Sequence, residues 1–216
     1  TLGAQLEAIG DNAFLGDPVI SRPGNKLSNL TLPRSIKYIG KAAFSSNQIS
    51  QLRIPAGIQT IDTSAFSSNE LTSLIIEDGV TQIGNGAFNS NKLSTLEIPK
   101  SLKTIGAAAF SGNELETVAG LSYLEDIGPR AFMLNRIKGH VSIGGVAAIG
   151  DQAFFGNRIT SVSLPVDMVA VPYEAFAQNN LSEILLPKSL KVIGRGAFES
   201  NQLAQLVIPL NVVEIE

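Results

Sequence analysis

A phenylalanine recurs every 22 residues through most of the chain, and this spacing constrains the fold more than any other feature. Each of these residues follows an alanine and precedes an asparagine by three positions: Phe44, Phe66, Phe88, Phe110, Phe132, Phe154, Phe176 and Phe198. Counted from these phenylalanines, apolar residues recur at offsets 5, 8, 10, 14 and 17 in most units. A unit this short cannot bury its own apolar side, so neighbouring units must stack and share one core.

The pattern within one unit predicts its local structure. Leu52 and Ile54 alternate with an outward residue, which is the period of a strand with one buried face. The small residues of the Gly-x-x-Ala-Phe stretch are typical of a short helical or 3-10 turn. We therefore predict a β-rich solenoid of 22-residue coils, with short parallel strands on one side, short helical or 3-10 turns at the Ala-Phe segments, and a ladder of phenylalanines. The recurring asparagine is expected to bond backbone groups where the chain bends.

Charge and residue usage narrow the function. Sixteen Lys and Arg against 19 Asp and Glu give a net charge of −3, which leaves no positive surplus for the phosphates of a nucleic acid. No apolar run approaches the roughly 18 residues that a membrane span needs. The chain has no cysteine and a single histidine, His140, so neither a metal cluster nor a Ser-His-Asp arrangement is supported. We expect no cofactor, no metal and no enzyme activity.

The recurring pattern LxxLxIPxxLxxIGxxAFxxN, as at residues 93–113 and 181–201, is similar to that of the BspA-like leucine-rich repeats of bacteria. The similarity spans essentially the whole chain, although asparagine stands where that family often has cysteine at the turn. The resemblance implies a leucine-rich-repeat solenoid on the cell surface or outside the cell. It also implies a role in adhesion, or in binding a protein or another macromolecule.

We expect residues 1–216 to form a single solenoid. The chain starts within one coil and stops within another without recognisable polar caps, so we expect it to be a piece of a larger protein. Two functions remain open for such a solenoid. One is a binding module, and the other is a passive spacer that holds another domain away from the cell.

An insertion near the start is the first candidate binding element. The spacing from Phe14 to Phe44 is 30 residues instead of 22, which adds eight residues to the 15–26 loop. This loop carries Asp17 and Arg22 together with two prolines, and loops on rigid scaffolds often bind ligands. A tolerated surface insertion explains the same feature equally well.

The outward strand position forms the second candidate, a row of side chains down the stack. Its candidate ligand-binding residues are Arg53, Ile75, Glu97, Val141, Leu185 and Val207. The row is mostly apolar toward its C-terminal half, as in a protein-binding stripe. Ordinary β-propensity would produce the same pattern. Aromatic residues are missing from the row, which argues against a stacking platform for sugars or bases.

The coil after Phe132 breaks the pattern, because His140 and Ser142 stand where core residues belong. A slip of one residue would turn Val141 and Ile143 inward and expose His140, and we expect this slip with a local bulge. His140 is then a surface residue and a further candidate for ligand binding. The preceding coil, VAGLSYL at 118–124, is also irregular, so this region is predicted to bend or to form a shallow patch.

Charged residues after the turn asparagines alternate in sign on four consecutive coils: Glu70, Lys92, Glu114 and Arg136. Stacked one strand apart, they are predicted to form a ladder of exposed ion pairs. Each pair contributes about 0–1 kcal/mol, so the ladder favours register and solubility over ligand binding.

Overall fold

A computed structural model describes residues 2–16 and 25–216, which stack as successive coils of a solenoid. Its strands, in chain order, are β1 (Ala8–Ile9), β2 (Tyr38–Ile39), β3 (Gln51–Ile54), β4 (Thr60–Ile61), β5 (Ser73–Ile76), β6 (Gln82–Ile83), β7 (Thr95–Glu97), β8 (Thr104–Ile105), β9 (Thr117–Ala119), β10 (Asp126–Ile127), β11 (Lys138–Ser142), β12 (Ala148–Ile149), β13 (Arg158–Ser163), β14 (Ala170–Val171), β15 (Val192–Ile193) and β16 (Glu214–Ile215). A 3-10 helix, Leu121–Tyr123, lies between β9 and β10.

The strands form two rows along the stack, and all their pairings are parallel. The first row holds two-residue strands in the orders β1-β2, β4-β6-β8-β10-β12 and β14-β15-β16. The second row holds the longer strands, paired as β3-β5, β7-β9 and β11-β13. Most partners are 22 residues apart, as for Ile61 and Ile83, because each coil repeats the one before it. The predicted strands on one side are confirmed, and a second line of very short strands accompanies them.

A ladder of phenylalanine rings runs through the core, as predicted. Neighbouring rings from Phe14 to Phe198 are stacked nearly parallel, with centroids 5.2 to 6.1 Å apart. Those from Phe44 to Phe176 are fully buried, and the alanine before each of them is buried too. The rings therefore join each coil to both of its neighbours.

A ladder of asparagines lies beside the rings and confirms the predicted role in bonding the backbone. The Nδ2 atom of Asn69 donates to the carbonyl oxygens of Phe44 and Phe66, at 2.8 and 3.2 Å. Its Oδ1 atom accepts from the amide of Ile49 at 3.1 Å. The same bonds to two phenylalanine carbonyls and to an amide of the preceding coil recur up to Asn201. Within the described residues no buried side-chain nitrogen or oxygen lacks a partner.

The Ala-Phe segments are tight turns rather than short helices. Ala43 donates to the carbonyl of Gly40 at 3.2 Å, which closes a turn, whereas Phe44 donates to Ala65 of the next coil at 2.9 Å. Ala42, which lies between Gly40 and Ala43, has a φ of 50°. This value is in the left-handed region, which interrupts a 3-10 helix. Amides in these segments therefore alternate between their own coil and the next one.

The predicted slip in the coil after Phe132 is confirmed. Val141 and Ile143 are buried, His140 is exposed, and the pairing of β11 with β13 shifts between Gly139 and His140. The placement of Val141 in the outward row is therefore wrong. Its side chain is only 3% exposed, because the shift in register pairs it with the buried Val162 of β13 and turns it toward the core. The regular pattern resumes at the buried Val146.

The irregular coil at 118–124 contains the 3-10 helix. Gly120 has a φ of 83°, and a Cβ there would lie 2.6 Å from the carbonyl oxygen of Ile98. Only glycine fits this position, and it moves the core contact one residue on, to the buried Leu121. The helix also brings Tyr123 to the surface.

Candidate functional site

The outward side chains of the second strand row and of the matching positions in the last coils form one exposed surface, which we call the strand face. It contains five of the predicted outward residues: Arg53, Ile75, Glu97, Leu185 and Val207. Direct pairing aligns Arg53 with Ile75 and Glu97 with Ala119. The repeat thus presents variable side chains at a fixed spacing, one strand apart.

Arg53 is held in place by Glu77, which is not one of the predicted site residues. Its Nη1 atom contacts Oε1 of Glu77 at 2.9 Å, and Oε2 of Glu77 accepts from the amide of Ala56 at 3.1 Å. The Arg53 hydrogen bond, followed by that of the Ala56 amide, lowers the pKa of the Glu77 carboxyl. The carboxylate thus fixes the guanidinium beside the turn that follows β3.

Between β5 and β7 the strand face contains a depression of about 380 Å³, which we call the central hollow. Its lining includes the predicted residues Ile75 and Glu97, together with Asp78, Lys100 and Tyr123. The break in the repeat at VAGLSYL is the sequence signal that could have identified Tyr123 as a site residue. The 3-10 helix at this break places the Tyr123 ring beside residues of preceding coils. The central hollow combines aliphatic walls with charges of both signs.

His140 lies on the strand face between two serine hydroxyls. Its Nδ1 atom is 2.9 Å from Oγ of Ser161, and its Nε2 atom is 3.1 Å from Oγ of Ser163. Both ring nitrogens are therefore engaged by hydroxyls, and the carboxylate that orients the imidazole in a Ser-His-Asp triad is replaced by a second serine. In residues 2–16 and 25–216, no group of three or more His, Cys, Asp and Glu side chains could hold a metal ion.

Four exposed aliphatic side chains cluster on the strand side of the last coils: Val166, Leu185, Val207 and Leu210. Leu185 and Val207 are 85% and 82% exposed. They border an open depression of about 1010 Å³, which also touches Lys188 and which we call the C-terminal groove. Leu185 and Val207 were predicted from the sequence, whereas the groove beside them was not.

The predicted 15–26 loop is described only at its two ends. Asp17 and Arg22 lie outside the described residues, whereas the ends of their loop meet in a parallel bridge between Gly16 and Asn25.

The four-residue charge ladder consists of two ion pairs, Lys92 with Glu70 at 3.1 Å and Arg136 with Glu114 at 2.9 Å. Within the part of the chain that the structure describes, no ion pair connects Lys92 with Glu114. The ladder therefore ties coils together in pairs.

The family follows from a comparison with known repeats. A family model described as a BspA type leucine rich repeat region, in six copies, matches residues 7–138 and 125–216. The chain belongs to this BspA-type leucine-rich repeat family. No curated protein matches it by sequence. No helix in residues 2–16 and 25–216 has the length and apolar character to cross a membrane.

Two solved structures share the fold of this BspA-type chain. A leucine-rich repeat protein from Bacteroides ovatus is 22% identical, with a TM-score of 0.64, over 99% of this chain and 67% of that one. The pneumococcal vaccine antigen PcpA is 20% identical, with a TM-score of 0.54, over 98% of this chain and 71% of that one. At these identities the likeness shows the fold alone.

The BspA-type repeat uses its recurring residues for the core and for the two ladders. Phenylalanine, alanine and asparagine are buried in coil after coil, so they offer nothing to a partner. Any specific recognition would have to use residues that differ between coils, and the strand face, the central hollow and the C-terminal groove expose such residues.

Proposed function

We propose that the chain is a non-enzymatic binding module of a bacterial surface or secreted protein, and that it recognises a macromolecular partner through its strand face. The observation that carries this proposal is that exposed aliphatic side chains, Ile75 in an early coil and Leu185 with Val207 in the last coils, lie on that one surface. Exposed apolar side chains gathered on a soluble surface are typical of protein-binding sites. The fold shared with a pneumococcal vaccine antigen supports a location at the bacterial surface.

The arrangement around His140 supports a binding role over catalysis. A serine nucleophile needs a base that is itself oriented by a third group, together with donors for a developing oxyanion. His140 instead bridges the hydroxyls of Ser161 and Ser163 on an exposed sheet. Such a group suits a polar contact at the edge of an interface.

The proposal is tested by attaching the purified chain to fluorescent beads and counting beads bound to cultured epithelial cells and to bacterial cells. Ile75→Lys combined with Leu185→Lys should reduce attachment several-fold, because both add charge to an apolar contact surface. Leu134→Lys is the matched control. Leu134 is also an exposed leucine, at 53%, but it lies on the turn after Phe132, away from the strand face. Its substitution should leave attachment unchanged.

Two further outcomes separate the alternatives. If beads carrying the wild-type chain attach no better than beads coated with albumin, the binding role is wrong and a passive spacer is favoured. If deletion of residues 17–24 abolishes attachment while the strand-face substitutions do not, the 15–26 loop is the binding element and the strand-face proposal fails.

A further inference from the structure

The central hollow lies over an interruption in the second strand row. β5 pairs with β3 and β7 pairs with β9, and no strand pairing joins β5 to β7 in the part of the chain that the structure describes. The two coils are tied together at both ends of this gap. At one end Lys92 donates its amide to the carbonyl of Leu71 at 3.0 Å. At the other, Oγ of Ser101 accepts from the amide of Gly79 and donates to the carbonyl of Val80, both at 2.8 Å. The hollow is thus a fixed depression and not a free strand edge.

An aromatic ring lines the central hollow because the chain departs from the repeat at the 3-10 helix. A Cβ at Gly120 would lie 3.1 Å from Cδ2 of Tyr123, so the glycine lets this ring lie close to the backbone. Tyr123 and Ile75 are 40% and 45% exposed, and both line the hollow. Among the described residues this helix is formed once, so the ring is particular to this coil. A partly exposed tyrosine in a depression is typical of an interface hot spot.

The charged side chains of the central hollow are not engaged with one another. Asp78 and Glu97 are exposed, and within the described residues neither has a cation at ion-pair distance. Glu77, in contrast, is engaged by Arg53 at 2.9 Å. Lys100 is the third charged residue of the lining. Two carboxylates and one ammonium group give the hollow a net charge of −1, so the complementary charge is a cation.

An arginine side chain matches this lining better than a lysine does. A guanidinium is planar, so it can stack on an aromatic ring while it donates hydrogen bonds to carboxylates at its edge. Its aliphatic stem packs well on apolar surface, which Ile75 supplies here. The volume of about 380 Å³ is near the lower end of the roughly 300–1,000 Å³ range of small-molecule pockets. The hollow therefore suits one long side chain of a partner.

We propose that the central hollow binds an arginine side chain of a partner protein. The guanidinium pairs with Asp78 and Glu97 and stacks on Tyr123, and the aliphatic stem packs on Ile75. This inference rests on the proposed function and assigns one part of the strand face to a side chain of stated chemistry.

The first step of the test is a selection. A random heptapeptide library displayed on phage is selected on the wild-type chain and depleted on a double variant, Asp78→Asn with Glu97→Gln. We expect the enriched peptides to share an arginine. Because both acidic side chains are exposed, the amides should leave the thermal midpoint unchanged. An equal midpoint shows that the depletion step reports on binding and not on folding.

The second step measures affinities of an enriched peptide by fluorescence anisotropy. Glu97→Gln should weaken binding about fivefold, near the upper end for an exposed charge pair. Tyr123→Leu keeps an apolar side chain over Gly120 and should weaken binding severalfold, because it removes the aromatic face. Lys100→Gln should tighten binding, since it removes a cation beside the guanidinium. Glu183→Gln, the matched loss of an exposed carboxylate in a later coil, should have no effect.

A changed peptide connects the arginine to the two carboxylates. Citrulline in place of the arginine keeps the shape and removes the charge, and it should weaken binding to the wild-type chain about tenfold. The same replacement should have little effect on binding to the double variant, because the carboxylates that it would leave unpaired are already absent. An equal loss on both proteins would contradict the pairing.

Several other results would overturn the inference. They are enriched peptides without a shared arginine, an equal loss in Glu183→Gln, or weaker binding to Lys100→Gln, which would show that the hollow holds a carboxylate. Acetylated and amidated arginine that binds as tightly as the peptide would show a small-molecule site. Dimerisation of the wild-type chain that Glu97→Gln abolishes in sedimentation would place a second copy in the hollow.

Bead attachment separates this inference from the proposed function. If beads with the double variant attach normally while beads with Ile75→Lys and Leu185→Lys do not, only this inference fails. If neither pair of substitutions affects attachment, the proposed function fails as well.

Discussion

Asn113 donates from its Nδ2 atom to the carbonyl oxygen of Phe88, 25 residues earlier in the chain, at 3.0 Å. The same atom donates to the carbonyl of Phe110 at 3.1 Å, and Oδ1 accepts from the amide of Leu93 at 3.1 Å. One buried amide thus bonds the backbone of two coils. Such a side chain is costly to remove, because backbone groups that it satisfied stay buried.

We therefore expect Asn113→Ala to lower the free energy of unfolding by about 3 kcal/mol, because it leaves buried backbone donors and acceptors without partners. Asn29→Ala is the matched control. Asn29 is exposed, and among the described residues its one side-chain bond is to Ser28. Urea denaturation followed by circular dichroism measures both. Equal midpoints for the two variants would contradict a structural role for the asparagine ladder.

The phenylalanine ladder leads to a second prediction. Phe110 is fully buried and stacks on Phe88 and Phe132, with centroids 5.3 and 5.7 Å away. Phe110→Ala should destabilise the chain by about 3–5 kcal/mol, because it opens a cavity in a packed core. Phe155→Ala makes the same chemical change at a half-buried residue outside the ladder and should cost clearly less. Denaturation midpoints that shift equally would count against the ladder.

The register shift between β11 and β13 leads to a third prediction, in which the same substitution is compared at two adjacent residues. Val141→Lys places a charge in the core and should lower stability by several kcal/mol or prevent folding. His140→Lys changes an exposed residue and should stay within about 1 kcal/mol of wild type, since it loses only surface contacts to two serines. Thermal melts check both variants. A more harmful effect at His140 than at Val141 would contradict the slipped register.

The buried core of this fold could be predicted from the sequence because each core position recurs once in every coil. Phe110 and Asn113 are recognisable from their equivalents in the other coils, and the slip at Val141 follows from the cost of burying polar residues. The turns were less predictable. Ala42 and Ser46 take left-handed conformations that their residue types do not favour, since bonds to the next coil hold them there.

The candidate site was less predictable than the core, because it depends on how coils lie against one another. Arg53 was recognised as outward-facing, but its ion pair with Glu77 joins different offsets of the repeat, 24 residues apart. Tyr123 was not among the predicted site residues, although the 3-10 helix brings it to the central hollow. The spacing of residues within one repeat does not predict such contacts between coils.

The pair of Arg53 and Glu77 leads to a final prediction, on pH. The folded chain holds the pKa of the Glu77 carboxyl below its ordinary value, chiefly through the hydrogen bond from Arg53. A carboxyl with a lowered folded pKa stabilises the fold above its unfolded pKa, and this contribution is lost as pH falls through the folded pKa. Arg53→Gln should raise the pKa of Glu77 toward the ordinary value.

Titration of the Glu77 side-chain carboxyl by carbon-13 NMR measures this pKa directly. Lys92→Gln removes the cation of a different surface pair and should leave the Glu77 pKa where it is in the wild type. The stability advantage of the wild type over Arg53→Gln should shrink as pH falls through the folded pKa of Glu77, because protonation of the carboxyl removes the acceptor charge in both proteins. An unchanged Glu77 pKa in Arg53→Gln would show that the amide of Ala56, and not the guanidinium, lowers it.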